Sequence, residues 1–183
     1  WPIPDDIGYN CSILIRDKND SSVKDNSTNL FAIKGSIEVL TPNTYVNWTN
    51  GTQENITFTT RGTYTRNIDI FYRNATAGSW IYIDSVSPPA DNVNVTYPWY
   101  PADDITRNAS IKVATNETEP KINVNDTSNT EFKIKGKVTI SKPSTNDIWH
   151  PGDTKYINWT SVGTVTPVKI EVSNDSGLPG SWK

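Results

Sequence analysis

Ile68-Asp69-Ile70-Phe71-Tyr72 and, about 100 residues later, Val168-Lys169-Ile170-Glu171-Val172 alternate apolar and polar side chains with a period of two. Successive side chains of a strand point to opposite faces, so the pattern predicts strands with one face buried. Val93-Asn94-Val95-Thr96-Tyr97 alternates in the same way. Shorter runs lie at Ser36–Leu40, Asn55–Thr59, Trp80–Ile83, Ser110–Val113 and Glu131–Ile134. Clusters of Gly, Pro, Asn and Asp separate the runs, and no window holds a helical period. About seven short strands in about 100 residues is the count of an immunoglobulin-like β-sandwich, so the chain reads as all-β.

The alternating runs belong to a longer repetition. Trp1-Pro2-Ile3-Pro4-Asp5-Asp6-Ile7 matches Trp99-Tyr100-Pro101-Ala102-Asp103-Asp104-Ile105, and Asn10-Cys11-Ser12-Ile13 matches Asn108-Ala109-Ser110-Ile111. Asn26-Ser27-Thr28 aligns with Asn125-Asp126-Thr127, and Phe31-Ala32-Ile33-Lys34-Gly35 with Phe132-Lys133-Ile134-Lys135-Gly136. Downstream, Trp48 pairs with Trp149, Ile56-Thr57-Phe58-Thr59 with Ile157-Asn158-Trp159-Thr160, Gly62-Thr63 with Gly163-Thr164, and Gly78-Ser79-Trp80 with Gly180-Ser181-Trp182. A tandem repeat of about 100 residues is expected.

Composition narrows the function. The 183 residues carry a net charge of −3, which excludes a basic nucleic-acid-binding surface. No apolar run reaches the roughly 18 residues of a membrane span. The chain has no Met and no signal peptide, so it reads as a mature segment whose targeting signals lie elsewhere or were removed.

The telling excess is Asn with Ser and Thr. With 20 Asn and 39 Ser plus Thr, chance placement gives 20 × 39/183, roughly 4, Asn-x-Ser/Thr triplets. The sequence holds 13, at Asn10, Asn19, Asn26, Asn47, Asn50, Asn55, Asn74, Asn94, Asn108, Asn116, Asn125, Asn158 and Asn174. Such an excess predicts a heavily N-glycosylated, extracellular chain. Asn94, Asn108 and Asn158 fall out of phase with their apolar neighbours, on the outward parity of their strands.

Catalysis has little to draw on. His150 is the only imidazole and Cys11 the only thiol. A Ser-His-Asp triad would have to use His150, which sits in the turn His150-Pro151-Gly152 opposite Asn50 of the other copy and reads as a turn residue. No zinc ligand set exists. Cys11 lies opposite Ala109 and reads as a small, part-buried free thiol, with an intermolecular disulfide as the alternative. Asp5-Asp6 and Asp103-Asp104 recur at one repeat position; they are weak Ca²⁺ candidates, and a loop cap is the simpler reading. The chain is read as no enzyme and as needing no cofactor beyond covalent N-linked glycans. The paired tryptophans Trp1/Trp99, Trp48/Trp149 and Trp80/Trp182 are expected in a core, which leaves Tyr45, Tyr64 and Tyr100 for any sugar stacking.

Ile140-Ser141-Lys142-Pro143-Ser144 through Ile148-Trp149, Pro151-Gly152-Asp153 and Tyr156-Ile157-Asn158-Trp159-Thr160 resembles the Kre9/Knh1-like family, the Ser-Thr-rich GPI-anchored type of Ig-like repeat. Val168-Lys169-Ile170-Glu171-Val172-Ser173 and Gly180-Ser181-Trp182 continue the pattern, and Trp1 to Ile7, Ile13 to Arg16 and Phe31-Ala32-Ile33 carry its later half. Family members are surface proteins of fungi, archaea and bacteria. The resemblance implies an Ig-like fold and a structural role at the cell surface, with no catalytic residues to transfer.

It also implies a phase. One complete domain runs over residues 35–134, residues 1–34 are the last strands of a preceding domain, and residues 135–183 are the first half of a following one. A half-sandwich leaves its core wet and its edge unpaired. Two explanations stay open. Residues 1–34 complete the half-domain of a second copy of the chain, giving a head-to-tail filament, or the 183 residues are a window of a longer array. A carbohydrate-binding adhesin module is the alternative function.

Overall fold

In the computed structural model, which describes residues 1–183, the alternating runs become strands and no α-helix forms. The chain opens with two small antiparallel pairs. β1 (Gly8–Cys11) and β2 (Leu14–Arg16) are followed by β3 (Lys24–Asn26) and β4 (Phe31–Ile33); β1 pairs with β4 and β2 with β3. Next come β5 (Ser36–Thr41), β6 (Asn47–Thr49), β7 (Glu54–Arg61), β8 (Ile68–Arg73), β9 (Ile81–Val86), β10 (Asn94–Trp99), β11 (Thr106–Thr115), β12 (Asn125–Thr127) and β13 (Phe132–Lys135). β10, β7 and β5 form a three-stranded antiparallel sheet in that order. The second sheet runs β6-β13-β11-β8-β9, with β12 also on β11; its β13·β6 pair is parallel. β14 (Lys137–Lys142) and β15 (Asn158–Val162) form a last hairpin.

The two larger sheets make a β-sandwich. Ile37, Val39, Ile56 and Phe58 of one sheet meet Ile68, Ile70, Ile111, Val113, Phe132 and Ile134 of the other. The period of two explains the division: in β8 every second residue is buried and the residues between are half-exposed. Trp48 packs edge-on against Trp99 with centroids 5.7 Å apart and lies 4.6 Å from Phe132. Burying each such side chain stabilises the fold by about 1.5–3 kcal/mol. All fifteen buried apolar residues lie between positions 37 and 134.

Backbone geometry refines the internal alignment. The Ile13 amide donates to Ser27 Oγ at 3.1 Å, and the Ser27 amide returns to the Ile13 carbonyl at 2.8 Å. Ile111 and Ser128 make the same two bonds at 3.2 and 2.9 Å. Ser27 therefore matches Ser128, and Asn26 matches Thr127 rather than Asn125. Likewise Asp153 N–H bonds the His150 carbonyl as Thr52 N–H bonds that of Thr49, both at 3.0 Å. His150 stands opposite Thr49, and Pro151 opposite Asn50. The Asn26 pair shifts because the connector before it differs in length between the copies, whereas Trp48-Thr49-Asn50-Gly51 and Trp149-His150-Pro151-Gly152 align without a gap.

The tryptophans divide differently from the sequence expectation. Trp48 and Trp99 are core residues. Trp80 is not: it faces outward, under the Arg73 guanidinium and Lys112 ammonium, each 4.8 Å from its ring. Phe71 and Arg73 hold the outward parity of β8, and Trp80 covers that same side. Trp1, Trp149, Trp159 and Trp182 are exposed. Tyr64 is corrected in the opposite sense, since it is buried in the core and unavailable to a sugar, whereas Tyr45 and Tyr100 are exposed.

Candidate functional site

β14 and β15 repeat the pairing of β5 and β7: Ile140 faces Trp159 as Val39 faces Phe58. What differs is the cover. Val39 and Ile70 are fully buried, whereas Ile140 and Ile170 are 63% and 56% exposed. Val138, Ile140, Ile157, Trp159, Ile170 and Trp182 line an apolar groove of about 310 Å³. In the middle sandwich the counterparts of the first five, Ile37, Val39, Ile56, Phe58 and Ile70, are buried with Ile111 and Val113 of β11 and Phe132 and Ile134 of β13.

The counterparts of that cover lie in residues 1–34. Ile13, Ile15, Phe31 and Ile33 repeat Ile111, Val113, Phe132 and Ile134. They have no core to join: Ile15 is 75% exposed, and β2 pairs only with β3. The chain thus displays an uncovered apolar face at one end and strands of the covering type at the other.

Most of the glycosylation candidates point to solvent. Asn10, Asn19, Asn26, Asn47, Asn55, Asn94, Asn108, Asn116, Asn125, Asn158 and Asn174 are exposed, and Asn74 is half-buried at the β8–β9 turn. Asn108 Nδ2 donates to Glu131 Oε2 at 2.7 Å, a surface contact that a sugar can displace. Asn50 differs. It is buried, and its Nδ2 donates to the Pro101 carbonyl at 3.0 Å. Unlike the exposed candidates, Asn50 offers its nitrogen to the fold interior and not to solvent, against the expectation of an outward acceptor.

In each acidic pair the first carboxylate is engaged by a threonine. Asp5 Oδ1 accepts the Thr63 amide at 2.9 Å and Oδ2 the Thr63 hydroxyl at 2.7 Å. Asp103 takes the Thr164 amide and hydroxyl at 2.7 and 2.6 Å. These bonds, the hydroxyl's first, hold both carboxyls below the usual aspartate range. Asp104 accepts the Tyr72 hydroxyl at 2.6 Å, and burial chiefly pushes that phenol up to about 12. Asp6 is exposed, and nowhere do three or more acidic, His or Cys side chains converge on a common point.

His150 sits at the surface with its Nδ1 3.7 Å from Asp153, within the turn. The Cys11 thiol is half-buried and donates to the Gly8 carbonyl at 3.6 Å. One outward surface collects rings and cations: Lys112 lies 4.6 Å from the Phe71 ring, and Phe71 meets Tyr82 edge-on at 5.7 Å. Sequence reading missed this patch because Trp80 was assigned inward. The phase of Phe71 with Arg73 on β8 was the available signal.

No protein-family model matches the chain, and comparison with curated proteins finds no significant match. No helix is long and apolar enough to cross a membrane.

Proposed function

We propose that the chain is a structural subunit of a heavily N-glycosylated extracellular filament or cell-surface layer, assembled head-to-tail by strand complementation between copies. The observation that carries this reading is the uncovered face of residues 135–183, whose Val138, Ile140, Ile157, Trp159 and Ile170 match the buried Ile37, Val39, Ile56, Phe58 and Ile70. Residues 1–34 of a second copy supply strands of the type that cover those counterparts. The fit is that of an edge receiving a donated strand, with backbone bonds giving affinity and alternate side chains giving specificity.

The middle sandwich supplies the register. There Ile111 faces Tyr72 and Val113 faces Ile70, and Ile134 runs parallel beside Trp48. Transferred to the assembly, Ile13 faces Val172 and Ile15 faces Ile170 of the neighbour, with Ile33 beside its Trp149. Covering about six apolar side chains gains on the order of 10 kcal/mol before ordering costs. Sequons on strands, turns and connectors support a sugar coat over the whole surface. The tandem Ig-like repeat and the Kre9/Knh1-like resemblance belong to the same reading.

Cysteine pairing tests it. In a Cys11→Ser background, Ile15→Cys with Ile170→Cys should give a ladder of disulfide-linked oligomers on oxidation, while Arg16→Cys with Ile170→Cys, one residue out of register, should not. Monomers under both conditions would sink the filament. Oligomers linked within one longer chain would show as a single large polypeptide after reduction.

A carbohydrate-binding module is the second reading. The outward patch of Trp80, Phe71, Tyr82, Arg73 and Lys112 favours it, since rings beside cations suit an acidic sugar. Glycan binding that is lost in Trp80→Ala, without any effect on assembly, would support it.

A further inference from the structure

Two contacts 98 residues apart in sequence share one geometry. Asp5 grips Thr63, and Asp103 grips Thr164, each carboxylate accepting one amide and one hydroxyl hydrogen of a single threonine. Each threonine follows a glycine with positive φ, +91° at Gly62 and +78° at Gly163. Those glycines are required by packing as well as by backbone. A Cβ on Gly62 would lie 2.7 Å from Ile7 Cδ1, and one on Gly163 would lie 2.9 Å from Asp103 Oδ1.

A second close approach accompanies each grip. A Cβ on Gly35 would collide with the Arg61 carbonyl, and one on Gly136 would meet the Val162 carbonyl at 2.8 Å. Ile105 Cδ1 closes on Gly136 from the other side, 3.2 Å from the same point. Each contact therefore has an aspartate clamp, glycines that let the backbones meet, and an isoleucine two residues after the aspartate, Ile7 on the turn glycine Gly62 and Ile105 on the other glycine, Gly136.

We infer that Asp5–Thr63 and Asp103–Thr164 are two copies of one docking joint, which seats each sandwich on the next at a fixed angle. The inference rests on the tandem-sandwich reading. A bidentate carboxylate fixes the plane of approach, and the isoleucine seated against glycine removes the remaining rotation. Exposed hydrogen bonds of this kind add little affinity, so the joint sets orientation and leaves attachment to the covalent chain and the donated strands. Around the first joint stand Lys34, Arg61 and Asp91, whose carboxylate takes the Gly62 amide at 2.7 Å. Around the second stand Asp104 and Asn50, the latter's Oδ1 3.2 Å from where a Gly163 Cβ would be.

The joints join different pieces. Asp103–Thr164 links the middle sandwich to the open half that follows it. Asp5–Thr63 links the middle sandwich to residues 1–34, which in the polymer lie inside the neighbour's sandwich. With both joints alike, the polymer turns and advances by the same step at every sandwich. Its structural repeat is then one sandwich, about half a subunit.

Spin labels on Ser87→Cys and Thr145→Cys in the full Cys11→Ser chain, kept dilute, read the second joint by pulsed electron resonance. The parent chain should give one narrow distance. Asp103→Ala and Thr164→Val should each make the distribution roughly twice as wide while far-UV circular dichroism stays unchanged. Asp5→Ala, at the other joint, should leave this distance as it is. Equally narrow distributions in both second-joint variants overturn the inference. In fibres, Asp5→Ala should lower the bending stiffness without stopping growth. A parent chain that forms no fibre defeats the filament reading, while the distance measurement still decides the joint.

Discussion

The side-chain amide of Asn50 donates to the Pro101 carbonyl across 3.0 Å, inside the fold, although Asn50 opens an acceptor triplet. N-linked sugar is attached through that nitrogen. Site-resolved mass spectrometry of native material should therefore find Asn50 without sugar, while Asn94, Asn158 and Asn174 carry it. Asn50→Ala should lower the stability of the middle sandwich by about 1–2 kcal/mol, the cost of a lost buried bond, measured by denaturant unfolding.

Matching isoleucines on the two sides of the chain should respond differently to truncation. Ile70 is fully buried, and Ile70→Ala should cost about 2–5 kcal/mol in unfolding of the free chain. Ile170 is more than half exposed, so Ile170→Ala should move that unfolding very little. In the assembly the second substitution should raise the concentration needed for fibres. Equal effects on free-chain unfolding would contradict the division.

Cys11 reports on cover. It repeats Ala109, which is fully buried, yet its own thiol is half-exposed in the free chain. A small maleimide should label Cys11 readily in dilute subunit and slowly in fibres. Equal rates in both forms would count against complementation by residues 1–34.

Alkali should weaken the middle sandwich in a defined window. Burial, as the largest cause, raises the phenols of Tyr64 and Tyr72 from 10.0 to about 12. A raised pKa favours the neutral form, so this stability is complete below pH 10, where the unfolded phenol titrates, and is lost as pH rises through about 12. Tyr72→Phe should make the slope of stability against pH over that interval shallower, because one of the raised phenols, Tyr64, Tyr72 and Tyr97, is removed. An unchanged slope would show that Tyr72 ionises normally in the fold.

Much of the fold was legible in the sequence because period-two alternation marks burial directly: Ile68, Ile70, Ile111, Val113, Phe132 and Ile134 all fell on the buried parity. What escaped were residues outside that regularity. Trp80 follows a turn, where parity no longer carries over from β8, so a large ring was assigned to a core it does not enter. Tyr64 precedes β8 and folds inward, its hydroxyl reaching the Ser36 carbonyl at 3.3 Å. Asn50 reads as an exposed acceptor because the triplet describes chemistry, and the Pro101 carbonyl that captures it is 51 residues away. The aspartate clamps were visible only as recurring acidic pairs, since their threonine partners lie 58 and 61 residues downstream.

The separation of the covering strands from the face they fit has a consequence for growth. Under the head-to-tail reading each contact leaves one part of each kind free, so copies would add in one direction unless the rotation closes a ring. An open polymer of the proposed kind would be polar, with an empty groove at one tip and an unspent strand at the other. Such a polymer has no intrinsic stopping length. Its ends would stay adhesive to further copies until the supply runs out or a different molecule occupies the tip.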